Sequence, residues 1–296
     1  MPYAGELSAL ITAVLWTGSA LAFAAATTRI GSVYVNVARL VAAVVLLFVT
    51  IVTFGIQVNV SAVQVLFLSL SGFAGFVFGD TFLFKSYEYN DARIGSLMMS
   101  AAPAMAALIA FLFLNETLTF TSILGISITL AGIALVVLER KEPSTHHTPI
   151  SMIGVVYALL GALGQAGGMI LAKSAFTRGP INGFVATFIR AFSATLVLAP
   201  LNYYAGRFTE PRKIFSNDRK AFQFTLLGSF LGPYLGVTFS LIAISLTDVA
   251  IAATIIALVP VIMLPTVWIL FRETLSWRAV IGACVAVFGV GILFLR

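Results

Sequence analysis

Long apolar runs alternate with short polar breaks along the whole chain. A bilayer core of about 30 Å needs roughly 20 apolar residues per helix. Ten runs meet that length and predict ten membrane helices: residues 5–26, 33–54, 62–84, 91–113, 118–138, 150–173, 181–204, 221–243, 247–270 and 276–295. Most connections between them are a few residues long. Two are longer and polar: "ERKEPSTHHTP" at 139–149 and "AGRFTEPRKIFSNDRK" at 205–220. No basic segment precedes the first apolar run, so it reads as a membrane helix and not as a cleaved signal.

The first polar break divides the runs into two sets of five, and the sets align. With a shift of 157 residues, Phe73 falls on Phe230, Gly75 on Gly232, Gly79 on Gly236, Thr81 on Thr238 and Phe82 on Phe239. Asp91 falls on Asp248, Pro103 on Pro260, and Glu116-Thr117-Leu118 on Glu273-Thr274-Leu275. Gly125 meets Gly282, and Gly132 meets Gly289. At a slightly different shift, Arg39 in "NVARLVAA" matches Arg190 in "TFIRAFSA". Matched glycines, prolines and charges are not a by-product of shared hydrophobicity, so the chain is read as an internal duplication. The units expected are residues 1–138, a linker at 139–149, and residues 150–296. An odd number of spans per copy makes the second copy enter the membrane from the opposite side. The expected fold is therefore an all-α membrane protein: two inverted five-helix repeats around a central cavity, an arrangement that supports alternating access.

Composition agrees. The chain is 60% hydrophobic and 9% charged, with a mean hydropathy of +1.06. Soluble domains carry about 25% charged residues. The formal charge of +6 is scattered singly between apolar runs, apart from a cluster at residues 207–220. That pattern suits juxtamembrane loops and excludes a nucleic-acid footprint. The single cysteine, Cys284, forms no internal disulfide.

Few residues carry chemistry. Glu116 and Glu273 lie in turns before the fifth and tenth spans, where acids favour helix N-termini. Inversion places them on opposite membrane faces, so they are not a catalytic pair. Asp91 and Asp248 read as N-caps. Pro103 and Pro260 fall mid-span, remove a backbone hydrogen bond and are expected to kink their helices as hinges or gates, or simply as packing kinks. Gly75 and Gly79, Gly164 and Gly168, and Gly228, Gly232 and Gly236 recur at four-residue spacing, which lets helices approach closely.

Ionisable residues inside apolar spans are costly and call for a functional hypothesis. Arg39 and Arg190 stand one per copy, either paired structurally or available to a carboxylate or other anion. Asp80 has no acidic counterpart, because Val237 occupies its place. It either neutralises Arg39 or Lys85 or serves as a proton-coupling acid. Lys173 reads as a snorkelling end residue. Trp16, Phe78, Phe82, Ser96, Met99, Gln165, Tyr234 and Phe239 are candidates to line a cavity. His146 and His147 belong to a solvated linker. No catalytic set, metal cluster or cofactor motif is found, so the chain is not expected to be an enzyme.

The paired tracts "P…NETL…G…G" and "P…RETL…G…G" (Pro103, Glu116, Gly125, Gly132; Pro260, Glu273, Gly282, Gly289) resemble the close of the EamA-type repeat. The chain is identified on them as a member of the drug/metabolite transporter superfamily, in its ten-span branch of two fused EamA repeats. Within it, the chain resembles bacterial aromatic amino-acid exporters. The resemblance implies a cavity surrounded by the first, third, fourth, sixth, eighth and ninth spans, with the fifth and tenth packed behind. Phosphate-exchanging relatives use a basic pair in the ninth span. Here that span, "DVAIAATIIALVPVIMLPTVWILF", has no lysine or arginine, which weakens phosphorylated substrates.

Loop charge adds orientation. Arg29, Lys85, Arg93, Arg140, Lys141, Arg207, Arg212, Lys213, Arg219, Lys220, Arg272 and Arg278 lie in odd-numbered loops, against Lys173, Arg178 and Arg296 on the other side. The positive-inside rule puts the odd loops in the cytoplasm and the termini outside. The resemblance points the other way, to cytoplasmic termini. The expected function is export of amino acids, aromatic and other neutral ones among them, across a bacterial inner membrane by alternating access. The expected partners are the small-molecule substrate, membrane lipid and, if transport is coupled, H⁺. Monomer and homodimer both remain open. The alternatives are a multidrug or cationic-compound exporter and, more remotely, a lipid enzyme or a non-transporting scaffold.

Overall fold

The computed structural model describes residues 3–86, 89, 98–99, 101–114, 118–138, 151–271 and 277–294. Among these, six helices are long and apolar enough to cross a membrane: Ala4–Ile30, Ser32–Thr53, Ala62–Leu83, Met152–Phe176, Gly183–Tyr204 and Arg219–Leu246. They correspond to the expected spans 1, 2, 3, 6, 7 and 8, and those numbers are kept below. The shorter apolar helices Ala102–Leu114, Phe120–Leu138, Val249–Phe271 (in two pieces) and Trp277–Phe294 fall in spans 4, 5, 9 and 10. No strand occurs among the described residues. The 139–149 linker, Asp91, Glu116, Glu273 and Ser96 lie outside the described residues.

Spans 3 and 8 are not uniform α-helices. Each widens into a π-helix for one stretch, Phe73–Gly79 in span 3 and Phe230–Gly236 in span 8. π-Helix accounts for well under 1% of residues in proteins. Two such stretches separated by the same 157-residue shift as the sequence repeat are a structural mark of the duplication. Their capping agrees. Ser61 caps span 3 in a reciprocal box with Gln64. Its counterpart Asp218 caps span 8 by accepting from the Ala221 N–H at 2.9 Å.

The repeats are interlocked. Span 6 packs along span 3, and in the mirror arrangement span 1 packs along span 8. Glycines set both contacts. A Cβ on Gly164 would lie 2.6 Å from Gly79 Cα, and one on Gly236 would lie 2.4 Å from Trp16 Cδ1. Cross-helix hydrogen bonds match as well: Ser71 Oγ donates to the Gly168 carbonyl, and Ser19 Oγ donates to the Gly228 carbonyl at 3.0 Å. Small residues and such bonds are the usual glue between membrane helices, because lipid removes the hydrophobic drive.

Equivalent helices also pair with each other, span 2 with span 7 and span 5 with span 10. In the second pair a Cβ on Gly132 would lie 2.3 Å from Ala286 N, and one on Gly289 would lie 2.5 Å from Thr129 N. Early residues of one helix therefore face late residues of the other. Two equivalent helices that cross antiparallel are related by an axis perpendicular to them, so the second repeat is inverted. The glycine faces of spans 5 and 10 are used against each other within the chain.

The first turn of span 1 borders Thr119 at the start of span 5, and this side of the bundle is called the terminus face below. The opposite, basic face carries Arg29, whose Nη1 donates to Asp218 Oδ2 at 2.9 Å, and the short helix Pro211–Asn217. On the terminus face the mirror tie runs from Gln64 Nε2 to the carbonyls of Ala175 at 3.3 Å and Gly179 at 3.1 Å.

Candidate substrate site

The π-helical turn of span 3 packs against spans 6 and 7. Asp80 is the first residue of regular helix after it. Arg39 lies seven residues into span 2 from the basic face, and Arg190 lies seven residues into span 7 from the terminus face. At 1.5 Å per residue, each is about 10 Å inside its end of the helix. All three side chains are buried: Arg39 is 8% exposed, Asp80 6% and Arg190 4%.

Their partnerships differ. Arg39 Nη2 donates to Asp80 Oδ2 in an ion pair, and its Nε donates to Asn36 Oδ1 at 2.9 Å. The remaining Asp80 oxygen, Oδ1, accepts from Gln165 Nε2 at 2.9 Å. The Arg39 guanidinium also stands over the Phe23 ring, 5.6 Å from its centroid. A buried carboxylate is thus neutralised by one arginine and held by an amide from the other repeat, which satisfies both oxygens.

Arg190 makes no ion pair among the described residues, although Asp80 is near enough to act on its charge. Its guanidinium stands 5.2 Å from the centroid of the Phe76 ring. Its buried Nε has no hydrogen-bond partner among the described residues. The backbone of the same residue is pinned by Gly72, where a Cβ would lie 2.3 Å from Arg190 O. The head group faces Gly75: a Cβ there would lie 3.1 Å from Arg190 Nη2 and 3.7 Å from Gln165 Oε1.

The aromatic candidates fall into separate places. Phe78 and Phe82 are in edge contact, with centroids 4.6 Å apart, and Phe82 stacks on Tyr157 at 5.7 Å. Lys85 is exposed at the basic-face end of span 3, with Nζ 5.1 Å from the Tyr157 centroid. Tyr234 shares a 2.8 Å hydrogen bond with Thr50 Oγ1 and packs beside Phe184 and Phe230. Trp16 fills the notch left by Gly236 at the crossing of spans 1 and 8. Phe239 and Met99 are half-buried. Of the sequence candidates, the structure brings Gln165 together with Arg39, Asp80 and Arg190.

Pro260 does more than kink its span. Span 9 breaks at Ala257–Leu258, and Pro260 is the second residue of the helix Val259–Phe271 that resumes after the break. A proline in the first turn leaves no intrahelical donor missing, because those N–H groups have no partner anyway. Pro103 holds the same second place in Ala102–Leu114. Asp248 occupies the N-cap position of Val249–Ile256.

A cleft of about 710 Å³ opens on the terminus face, bordered by Tyr3, Gly5, Glu6, Thr119, Leu246 and Thr247. Glu6 is buried there and accepts from Thr247 Oγ1 at 3.2 Å, while Lys173 Nζ donates to the Thr247 carbonyl at 2.9 Å. Among the described residues no cluster of His, Cys, Asp and Glu is arranged to hold a metal.

Sequence reading overlooked Asn36 and Tyr157. Asn36 was open to detection, since it stands one helical turn before Arg39 and so shares its face. Tyr157 carried no signal, being one aromatic among many in an apolar run.

An all-helical bundle of two interlocked, inverted copies, with a buried polar cluster where the copies meet, is the architecture of a multi-pass membrane carrier. The chain belongs to the EamA-like transporter family: the family's model matches residues 3–138 and again residues 152–295, once in each repeat. Two relatives from Bacillus subtilis (strain 168) match over part of their length. "Uncharacterized transporter YxxF" is 29% identical over 128 residues, covering 43% of this chain and 40% of the relative. "Uncharacterized transporter YyaM" is 30% identical over 134 residues, covering 42% and 43%. The matched stretches therefore span about two fifths of these relatives. A solved crystal structure superposes with a TM-score of 0.77 at 18% identity, covering 98% of this chain and 96% of that one, a likeness of fold. This is a multi-pass membrane protein of a family that transports small molecules.

Proposed function

We propose that this protein exports amino acids, aromatic and other neutral ones among them, together with related small metabolites, across a bacterial inner membrane by alternating access. The observation that carries this reading is the buried cluster of Arg39, Asp80, Gln165 and Arg190. It lies where the two inverted repeats meet, at a depth reachable from either face if the repeats rock against each other. Two guanidinium groups and one carboxylate leave the cluster net positive, which suits a substrate with an anionic group.

That balance opposes the cationic-compound alternative. A cation exporter calls for an acid free at the centre. Asp80 is already held by Arg39 and Gln165, and Glu6 lies at the terminus face. The basic face is the cytoplasmic one on the positive-inside rule, and a reporter fused to the C-terminus would then read as external.

Purified protein in liposomes is expected to move labelled amino acids, with and without a pH gradient to separate coupled from uncoupled movement. Absence of flux for every amino acid and related metabolite in a broad panel would remove this reading.

A further inference from the structure

We infer that the groove between spans 2 and 8 seats an acyl chain of one anionic phospholipid, and that Arg219 and Lys220 hold its headgroup. This site is independent of what the protein carries.

A cleft of about 470 Å³ is bordered by Ala42, Val45 and Leu46 of span 2 and by Leu226, Leu227 and Phe230 of span 8. All six side chains are apolar, and Val45 and Leu227 are exposed, so the groove opens outward. In a chain that crosses the membrane, such a surface meets hydrocarbon. The depth fits. Leu226 lies seven residues into span 8 from the basic face, and Ala42 lies ten residues into span 2. At 1.5 Å per residue both are roughly 10–15 Å below that end. Acyl chains fill that depth in a hydrocarbon core of about 30 Å.

Charge stands at the head of the groove. Arg219 opens span 8, and Leu226 and Phe230 follow it by seven and eleven residues. These spacings are close to two and three helical turns, so Arg219 and the groove share one face. Lys220 stands in the same relation to Leu227. Both cations are exposed, and neither makes an ion pair among the described residues. The neighbouring acid, Asp218, is taken by Arg29 at 2.9 Å. The polar segment before span 8 is held against span 2 by Tyr34, whose hydroxyl donates to the Thr209 carbonyl at 2.8 Å. Basic clusters at the end of a membrane helix attract anionic headgroups.

The inverted copy differs at both points. Ala42 corresponds to Ser193 and Leu226 to Ser69, and there Ser193 Oγ donates to Ser69 Oγ at 2.9 Å, bridging spans 7 and 3. Arg219 and Lys220 correspond to Ala62 and Val63. The copy without the cations has its seam bridged, and the copy with them has its seam open. Span 2 belongs to one repeat and span 8 to the other, so an occupant of the groove touches both halves.

The test is native mass spectrometry of the purified full chain, titrated with dioleoyl phosphatidylglycerol, with dioleoyl phosphatidylcholine and with inorganic phosphate. One phosphatidylglycerol is expected to bind in preference to phosphatidylcholine by about tenfold or more, since each cation near the surface contributes roughly fivefold. Arg219→Gln with Lys220→Gln should bring that preference close to one. These are exposed positions, so the pair reads binding and not folding. Arg212→Gln with Lys213→Gln removes the same charge from the same face, away from span 8, and should leave most of the preference. Ala42→Phe keeps both cations and fills the groove, and should also abolish it, with the lipid-free melting temperature as the check on folding. Inorganic phosphate is not expected to displace the lipid. No preference for phosphatidylglycerol, equal loss in the two charge pairs, or a preference that survives Ala42→Phe would overturn the inference. Displacement by phosphate would overturn it as well, because the site would then hold a headgroup without a chain. A dimer that dissociates on Ala42→Phe would give the groove to a second copy and overturn it too.

Discussion

Arg39 and Arg190 occupy matching places in the two repeats, at matching depths from opposite faces, yet their partners differ. Arg39 is tied to Asp80 and Asn36; Arg190 meets an aromatic ring and a glycine notch. Duplication supplied two equivalent cations, and a single acid, present in one copy only, divided their work. The first links span 2 to span 3 through its ion pair, and its acid also holds span 6 through Gln165.

The largest expected effect comes from breaking the ion pair. Arg39→Met leaves Asp80 buried with only an amide partner and should lower stability by about 3–5 kcal/mol. The double change Arg39→Met with Asp80→Val copies the second repeat's lack of an acid and removes both charges. It should recover most of that loss in the melting temperature, since replacing a whole buried pair by apolar groups is often neutral. Failure of the double change to recover would mean that the ion pair is not what distinguishes the two sides.

A smaller effect tests how Arg190 is held. Gly72 leaves no space for a side chain against the Arg190 backbone. Gly72→Ala should push spans 3 and 7 apart and lower stability by about 1–3 kcal/mol, as overpacking does. Gly206→Ala is not a fair control, because that glycine has a positive φ of 68°. Gly167→Ala is one, since nothing lies within 4 Å of its Cβ position, and it should be near neutral.

The smallest effect lies at the basic face. The Ala221 N–H, and after it the Arg29 guanidinium, hold the Asp218 carboxyl below the ordinary aspartate range. A depressed folded value means stability that is present above the unfolded pKa and lost as pH falls through the folded one. Asp218→Asn should therefore flatten a shallow acid-side loss of stability, read as melting temperature against pH, and leave neutral-pH behaviour nearly unchanged. Ser61, its counterpart on the terminus face, caps with a hydroxyl and should show no such acid dependence.

Spans, duplication and inversion were legible in the sequence because they depend on run length, parity and matched landmarks such as Gly132 and Gly289. The polar cluster was half legible. Arg39, Asp80, Gln165 and Arg190 each stood out as polar groups in apolar runs, but whether Asp80 would join Arg39 or Lys85 depends on tertiary packing that no periodicity encodes. That Trp16 fills the notch at Gly236 was not legible, since an aromatic on a helix face does not say what it faces. The π-helical stretches were hidden, because "FAGFVFG" and "FLGPYLG" carry no pattern that separates a wide turn from an ordinary one. The break at Ala257–Leu258 was announced by Pro260 but not its form.

The crosswise packing of span 1 on span 8 and span 6 on span 3 has a consequence for biosynthesis. When only the first five helices have been made, the face of span 1 that span 8 covers and the glycine-lined side of span 3 that span 6 covers still lack those partners. The membrane therefore receives an unfinished object that becomes whole only when the later helices slide between the earlier ones. The same requirement means that the two halves, made as separate chains in one cell, have complementary surfaces with which to find each other.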